Sequence, residues 1–302
     1  MPRFRSTQPP ERQADSVIAR IVDSGALRRN PARPPSVRTV ANYRDCLLQV
    51  ARRIAAEGRE LRDLDAGTAV DYLRTRVDDL GQKALDLHRQ ALQAMLRHVS
   101  GRLPEGERLT IVRSHRPKRR GGRAYTPQQV RLVAAAQNAR NGLSTLIAHA
   151  AGLRAHELFT LARPDEQPPD VRPARPEKFA GRPGLDYTVI GKGGLVRLVR
   201  IPEHLAERLE ARRHETPKQV VDRGIRYVTR YDVAGGVAWS VSFSSASKRA
   251  LGWSRGAHGS RHSFAQERMR ELQRLLVRAE ALEVVSQELG HFRPEITETY
   301  LK

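Results

Sequence analysis

The first regular pattern along the chain is the series Val40, Tyr43, Leu47, Val50 and Ile54, apolar positions alternately three and four apart, which is the spacing of one helix face. That helix runs from Ser36, and Gly58 closes it. Val70, Leu73, Val77 and Leu80 predict a second helix, and Leu85, Leu92, Met95, Leu96 and Val99 a third, so residues 36–112 read as a small helical domain. Ahead of it, residues 1–35 carry Pro9, Pro10, Pro31, Pro34 and Pro35 around a short apolar piece from Val17 to Val22 and read as a loosely held basic arm. Residues 113–124 read as an exposed linker: Arg113 to Arg123, RSHRPKRRGGR, is basic, contains a proline and a glycine pair, and lacks apolar residues.

A second domain, 125–302, opens at Tyr125-Thr126-Pro127, with Thr126 as N-cap and Pro127 in the first helical turn. An apolar helix around Leu143, Leu146, Ile147 and Ala150 ends in Gly152-Leu153-Arg154. The stretch from Arg163 to Pro183 holds six prolines and predicts an irregular loop. Two strand-like runs, Asp186 to Ile190 and Leu195 to Ile201, are joined by Gly191-Lys192-Gly193-Gly194, a hairpin signal. Helical patterns return at about 203–213, 217–230, 260–278 and 282–289. The predicted fold is mainly α with a small antiparallel β-sheet, and no internal repeat is found.

Composition narrows the class of partner. The 302 residues carry 54 Lys plus Arg against 33 Asp plus Glu, a formal charge of +21, which points to a polyanion. Divided after Ala124, the first part is +12 and the second +9, so neither is merely a basic tail. Only seven of the basic residues are lysine; guanidinium matches phosphate geometry better than ammonium does, although a genome biased toward arginine codons explains the excess equally well. The single cysteine, Cys46, lies beside the apolar stripe of the first helix and reads as a buried thiol; it excludes an internal disulfide framework and a Cys-based zinc site. No signal-peptide segment and no membrane-length apolar run is present, so a cytoplasmic protein is expected.

Four places hold candidate chemistry: Arg154 in AAGLRAHEL, Lys192 in IGKGG, the run His258 to His262, and Leu289-Gly290-His291 with Tyr300. Singly each has a plain alternative. Arg154 and Arg261 are two of 47 arginines, for which a solvated face is the default. Lys192 sits in a glycine turn that lacks phosphate-loop spacing. His258 and His262 are four apart, as in a zinc pair, but no third ligand stands in register, so no metal is expected. Tyr300 alone would be a packing aromatic.

Taken in order, these segments resemble the tyrosine recombinase (phage integrase) family over residues 36–302. Gly152-Leu153-Arg154-x-x-Glu157-Leu158 is similar to the box that holds its first arginine, Ile190-Gly191-Lys192-Gly193 to its hairpin lysine, His258-x-x-Arg261-His262-x-Phe264-Ala265 to its second box, and Leu289-Gly290-His291 with Tyr300 nine residues later to its third. The resemblance implies a helical, SAM-like core-binding domain followed by an α-rich catalytic domain. It also implies a metal- and ATP-independent strand transferase that needs no cofactor and forms a 3′-phosphotyrosyl intermediate on double-stranded recombination sites. A homotetramer working through a Holliday junction follows from the same likeness, with an accessory DNA-bending or directionality protein as a further partner. A bacterial, nucleoid-associated protein of a mobile element is the corresponding setting.

Breaking a phosphodiester without metal requires a nucleophile, neutralisation of charge on two non-bridging oxygens, and a proton for the leaving 5′ oxygen. Tyr300 offers a phenol whose ordinary pKa, about 10, needs help near neutrality. The guanidiniums of Arg154 and Arg261 suit the non-bridging oxygens. By the resemblance Lys192 is the general acid, His258 the proton acceptor for Tyr300 or an activator of the phosphate, and His291 a hydrogen-bond donor to the phosphate. Glu157, three residues after Arg154, is placed to orient Arg154 or His258, and His262 is assigned to packing. Arg116, Lys118, Arg119, Arg120 and Arg123 in the linker are candidate DNA contacts.

Three features depart from the family pattern: Gly259-Ser260 inside the second box, the proline-rich insertion, and a sequence that stops two residues after Tyr300. Many members continue into a tail that packs on a neighbour, so either assembly uses other surfaces or the chain is truncated. The rival readings are a type IB topoisomerase with a similar site and a non-catalytic DNA-binding accessory protein that keeps the fold.

Overall fold

The computed structural model describes residues 8–28, 35–117 and 122–302. The chain divides into two compact units, Met1–Arg120 and Gly121–Lys302.

The first unit is helical. Helix α1 (Pro10–Asp23) packs on α2 (Val37–Ala55), which lies against α4 (Gln82–His98), with the short α3 (Ala66–Arg74) beside α4. Cys46, Leu47, Val50 and Ile54 of α2 are buried, as the spacing predicts. Asp65 caps α3, accepting from the Thr68 amide at 2.8 Å. The N-terminal segment corrects the expectation of a loose arm: Ala14, Ile18 and Ile21 turn one face of α1 into the core, and the buried Gln13 side chain accepts from the Leu61 amide at 2.9 Å. Part of the basic linker is also docked. The Ser114 amide donates to Gln82 Oε1 at 3.0 Å and its hydroxyl to the Leu80 carbonyl at 2.6 Å, and the Arg116 guanidinium donates to the Asp79 carbonyl at 2.8 Å. Lys118, Arg119 and Arg120 lie outside the described residues.

The second unit is built on α5 (Pro127–Ala135), α6 (Ala139–Ala150) and α8 (Gly236–Leu251), with α9 (Gly259–Leu272) on α6 and α10 (Arg278–Glu288) on α9. Thr126 and Gln129 form a reciprocal capping box that starts α5, so the Thr126 N-cap expectation holds. Strands β1 (Leu185–Ile190) and β2 (Val196–Ile201) pair antiparallel around the Gly191–Gly194 turn, and α7 (Glu203–Glu210) follows. The six-proline stretch before β1 is irregular, as read from sequence.

Two segments differ from the sequence reading. Residues 217–230, expected to be helical, are instead most of a second hairpin, β3 (Arg213–Asp222) and β4 (Ile225–Tyr231). Arg223 and Gly224 both take positive φ, +51° and +76°, which is the backbone of the tight turn that matches strand twist. The flanking Val220, Val221, Ile225, Tyr227 and Val228 are β-formers, and their local preference prevails over a helical count. Helix α8 was not anticipated; Trp239, Phe243 and Ala246 form its buried stripe, while its serines hid the pattern.

Among the described residues the structure is mainly helical with two small antiparallel sheets. No described helix is long and apolar enough to cross a membrane.

Candidate active site

Five short segments of the second unit converge. The first is the turn after α6. Gly152 has φ +61°, and a Cβ there would lie 2.7 Å from the Phe264 ring, so both its conformation and its packing require glycine. The chain then turns through Arg154, whose amide donates to Glu157 Oε2 at 2.8 Å while its Nη1 donates to Oε1 at 2.6 Å. Glu157 opens a single 3-10 turn, Glu157–Thr160, and is completely buried.

Arg261, on the first turn of α9, is also completely buried. Its Nη1 donates to the Gly152 carbonyl and its Nη2 to the Leu289 carbonyl, joining the first and third boxes. Nη2 is also 3.1 Å from His291 Nε2. Because arginine only donates, His291 Nε2 accepts here and its Nδ1–H faces Thr297 Oγ1 at 3.0 Å. The Nε of Arg261 is buried without a protein partner.

Tyr300, at the end of the 3-10 turn Glu298–Tyr300, lies over Arg261 with its ring centroid 5.7 Å from the guanidinium carbon. Three imidazoles surround it. Ring centroids are 5.5 Å away for His258, 5.1 Å for His291 and 4.6 Å for His262. His262, read from sequence as a packing residue, is thus against the nucleophile candidate.

Lys192 occupies the exposed turn between β1 and β2. The root of that turn reaches the arginine site: a Cβ on Gly191 would lie 3.5 Å from Glu157 Oε1 and 3.9 Å from Arg154 Nη1. Arg123, the other described linker candidate besides Arg116, is exposed, and its carbonyl lies against Gly259 at the start of α9.

The electrostatics are dominated by cations. Arg154, Arg197 and Arg261 share one carboxylate, Glu157, at 2.6, 2.8 and 3.9 Å. Burial alone would raise the Glu157 pKa, but the guanidiniums of Arg197, Arg261 and Arg154 hold it well below the usual carboxylate range. Burial and the neighbouring Arg154 charge push Arg261 down to about 9, still cationic at neutral pH. His258 falls to about 4 through burial and then the charges of Arg261, His262 and Arg154. His291 falls to about 3 through burial and then Arg261, Arg154 and Arg197. Both histidines are therefore neutral near pH 7. Three guanidiniums against one carboxylate leave two positive charges uncompensated beside a phenol and neutral imidazoles. Such a cluster suits an anion whose charge grows during reaction. Among the described residues no His, Cys, Asp and Glu group has the makings of a metal site.

Sequence reading named Arg154, Glu157, His258, Arg261, His291 and Tyr300, and the fold brings them together; Glu157 bonds to Arg154 and makes no hydrogen bond to His258. It passed over Arg197. The alternation of β2 carried the signal: Arg197, Val199 and Ile201 are the buried positions, so an arginine stands on the inward face.

This arrangement of helices, two small sheets and clustered site is the tyrosine recombinase fold. The structure is similar to XerH site-specific recombinase bound to difH substrate, at 15% identity and TM-score 0.57 over 99% of this chain and 94% of that one. It is similar to the Tn1549 transposon integrase in complex with transposon right end DNA, at 12% identity and TM-score 0.56 over 98% and 95%. A lambda integrase tetramer bound to a Holliday junction matches at 14% identity and TM-score 0.59 over 99% and 82%. By sequence, no family model and no curated protein matches the chain.

Proposed function

We propose that this protein is a site-specific DNA recombinase that cleaves and rejoins double-stranded DNA through a 3′-phosphotyrosyl intermediate, serving a mobile element. The observation that carries this reading is the convergence of Tyr300 on Arg261, with Arg154 tied to the same buried carboxylate. The scissile phosphate would sit where the two uncompensated positive charges face its non-bridging oxygens. Tyr300 Oη attacks phosphorus, its proton passing to neutral His258. The bond to the 5′ oxygen breaks as Lys192, on the exposed β1–β2 turn, delivers a proton to it. Cleavage keeps the diester energy in the phosphotyrosyl bond, so attack by a 5′ hydroxyl of another strand reseals DNA without ATP. Because Tyr300 packs on the site of its own chain, each protomer cuts with its own tyrosine.

His291 would donate to the phosphate only after Arg261 Nη2 turns from it toward the anion, which frees Nε2 and lets the imidazole proton redistribute. The solved structures bound to substrate DNA and to a Holliday junction support a tetramer on paired sites for this chain too. The basic surface, and Arg116 and Arg123 in particular, would contact the DNA backbone.

The test begins with capture of covalent protein–DNA adducts on host genomic DNA, which gives the cleavage site. A duplex nicked beside that site then traps the adduct. Wild type should accumulate it and Tyr300→Phe should form none. An adduct in the Phe variant would overturn the assignment of the nucleophile, and none in wild type would favour a non-catalytic DNA-binding protein.

A further inference from the structure

We infer that Glu288, pinned by residues 175–182 at the end of the proline-rich stretch, is a positioning residue that sets the Arg154–Glu157 pair through Arg197. The inference rests on the function proposed above. Glu288 is the last residue of α10, three before His291, and is 1% exposed. Its carboxylate accepts from Arg268 Nε at 3.0 and 2.9 Å and from the Phe179 amide at 2.8 Å. Its carbonyl accepts from Arg197 Nη1 at 2.7 Å. The other fork of Arg197 reaches Glu157 Oε2 at 2.8 Å, and Glu157 holds both the amide and the guanidinium of Arg154. A continuous route thus runs from the loop through the body of Glu288, from its carboxylate to its carbonyl, and on by hydrogen bonds to Arg197, Glu157 and the first arginine.

The loop end of this chain is built to hold still. Phe179 adopts φ +65°, rare for an aromatic residue, and is held there by burial and by cations on its ring, Lys178 Nζ at 5.1 Å and Arg200 Cζ at 4.9 Å from the centroid. Such a conformation persists where its surroundings over-determine it. Arg175 fastens the loop to α10: its amide donates to Gln287 Oε1 at 2.9 Å and its guanidinium to Glu280 and Glu283 at 3.0 and 3.2 Å. Arg182 fastens it to α9 through Glu271, 2.9 Å from each fork.

The route past the third box is equally fixed. Gly290 has φ +69°, and a Cβ there would fall 2.6 Å from Arg197 Cδ. The glycine of Leu289-Gly290-His291 therefore leaves the lane through which Arg197 crosses from β2 to the Glu288 carbonyl. Arg197 donates with both forks and is buried, so lysine, with one point of charge, cannot hold both ends.

The test uses the full chain and the nicked duplex, in single-turnover cleavage at saturating DNA, beside site affinity by titration. Glu288→Gln keeps the shape but weakens the hold of Arg268; it should slow cleavage about tenfold with affinity unchanged, and Arg175→Ala, on the half-buried outer side, should slow it about threefold, since small displacements of positioned groups cost rate. In an Arg197→Lys background, adding Glu288→Gln should have less than about a twofold effect, because residues acting through one another do not add. Wild-type cleavage rates in both Glu288→Gln and Arg175→Ala, or an undiminished Glu288→Gln effect in the Arg197→Lys background, would overturn the inference. Failure of wild type itself to form the adduct would overturn instead the proposed function on which it rests.

Discussion

At the scale of single residues, the site is a set of charges whose values depend on burial. His258 sits at about 4 in the folded protein against an ordinary 6.5. Above pH 6.5 the folded and unfolded chains both hold it neutral. Between 6.5 and about 4 the unfolded chain takes a proton that the folded chain refuses, so stability falls as pH is lowered. His291, at about 3, acts in the same sense. Urea titrations should therefore show wild type losing stability from about pH 7 to about pH 5, with a smaller loss in His258→Gln; equal losses would contradict the buried, neutral state of this imidazole. Arg261→Ala tests a different point. It unpairs the Gly152 and Leu289 carbonyls and leaves Glu157 with one cation fewer, so besides abolishing cleavage it should lower stability by about 3 kcal/mol. Unchanged denaturation would mean that Arg261 serves the substrate alone.

At the scale of elements, the β1–β2 hairpin separates stability from chemistry. Lys192 is exposed in its glycine turn and makes no hydrogen bond or ion pair among the described residues, so Lys192→Ala should leave the melting temperature unchanged. Cleavage should nevertheless fall roughly 10²-fold, the usual worth of a general acid. A substrate whose leaving 5′ oxygen is replaced by sulfur needs no proton from the enzyme, and it should bring the variant back to the wild-type rate. A defect of equal size on both substrates would remove Lys192 from that role. The hairpin itself was legible from sequence, because β-branched runs flank a glycine turn whose residues have few other conformations. The β3–β4 hairpin carried a similar signal at Arg223-Gly224, obscured by apolar spacing that also fits a helix. Helix α1 was obscured by its flanking prolines, although Ala14, Ile18 and Ile21 have the spacing of a buried face.

At the scale of the whole molecule, a formal charge of +21 on 302 residues would, in the proposed function, govern how DNA is held. Of the 54 lysines and arginines, only Arg154, Arg261 and Lys192 are proposed to act in the reaction; most of the others would meet the backbone without reading sequence. Affinity for the site should then fall about 10³-fold or more between roughly 50 and 200 mM salt, as counterions compete for the phosphates. A flat dependence in a filter-binding or anisotropy titration would show that few of these charges meet DNA.

The sequence by itself determined the order and spacing of the four boxes, the helical first unit, the caps and the first hairpin. These are local matters, set by periodicity, turn chemistry and residue type within about ten positions of one another. Tertiary structure alone decided that Glu157 would serve three guanidiniums, that His262 would lie nearest Tyr300, and that Arg197 would carry the hold of the 175–182 loop to Arg154. Those contacts join residues as much as 112 positions apart. They form because a buried charge must find partners wherever the packing places them, and no pattern along the chain records which partner that will be.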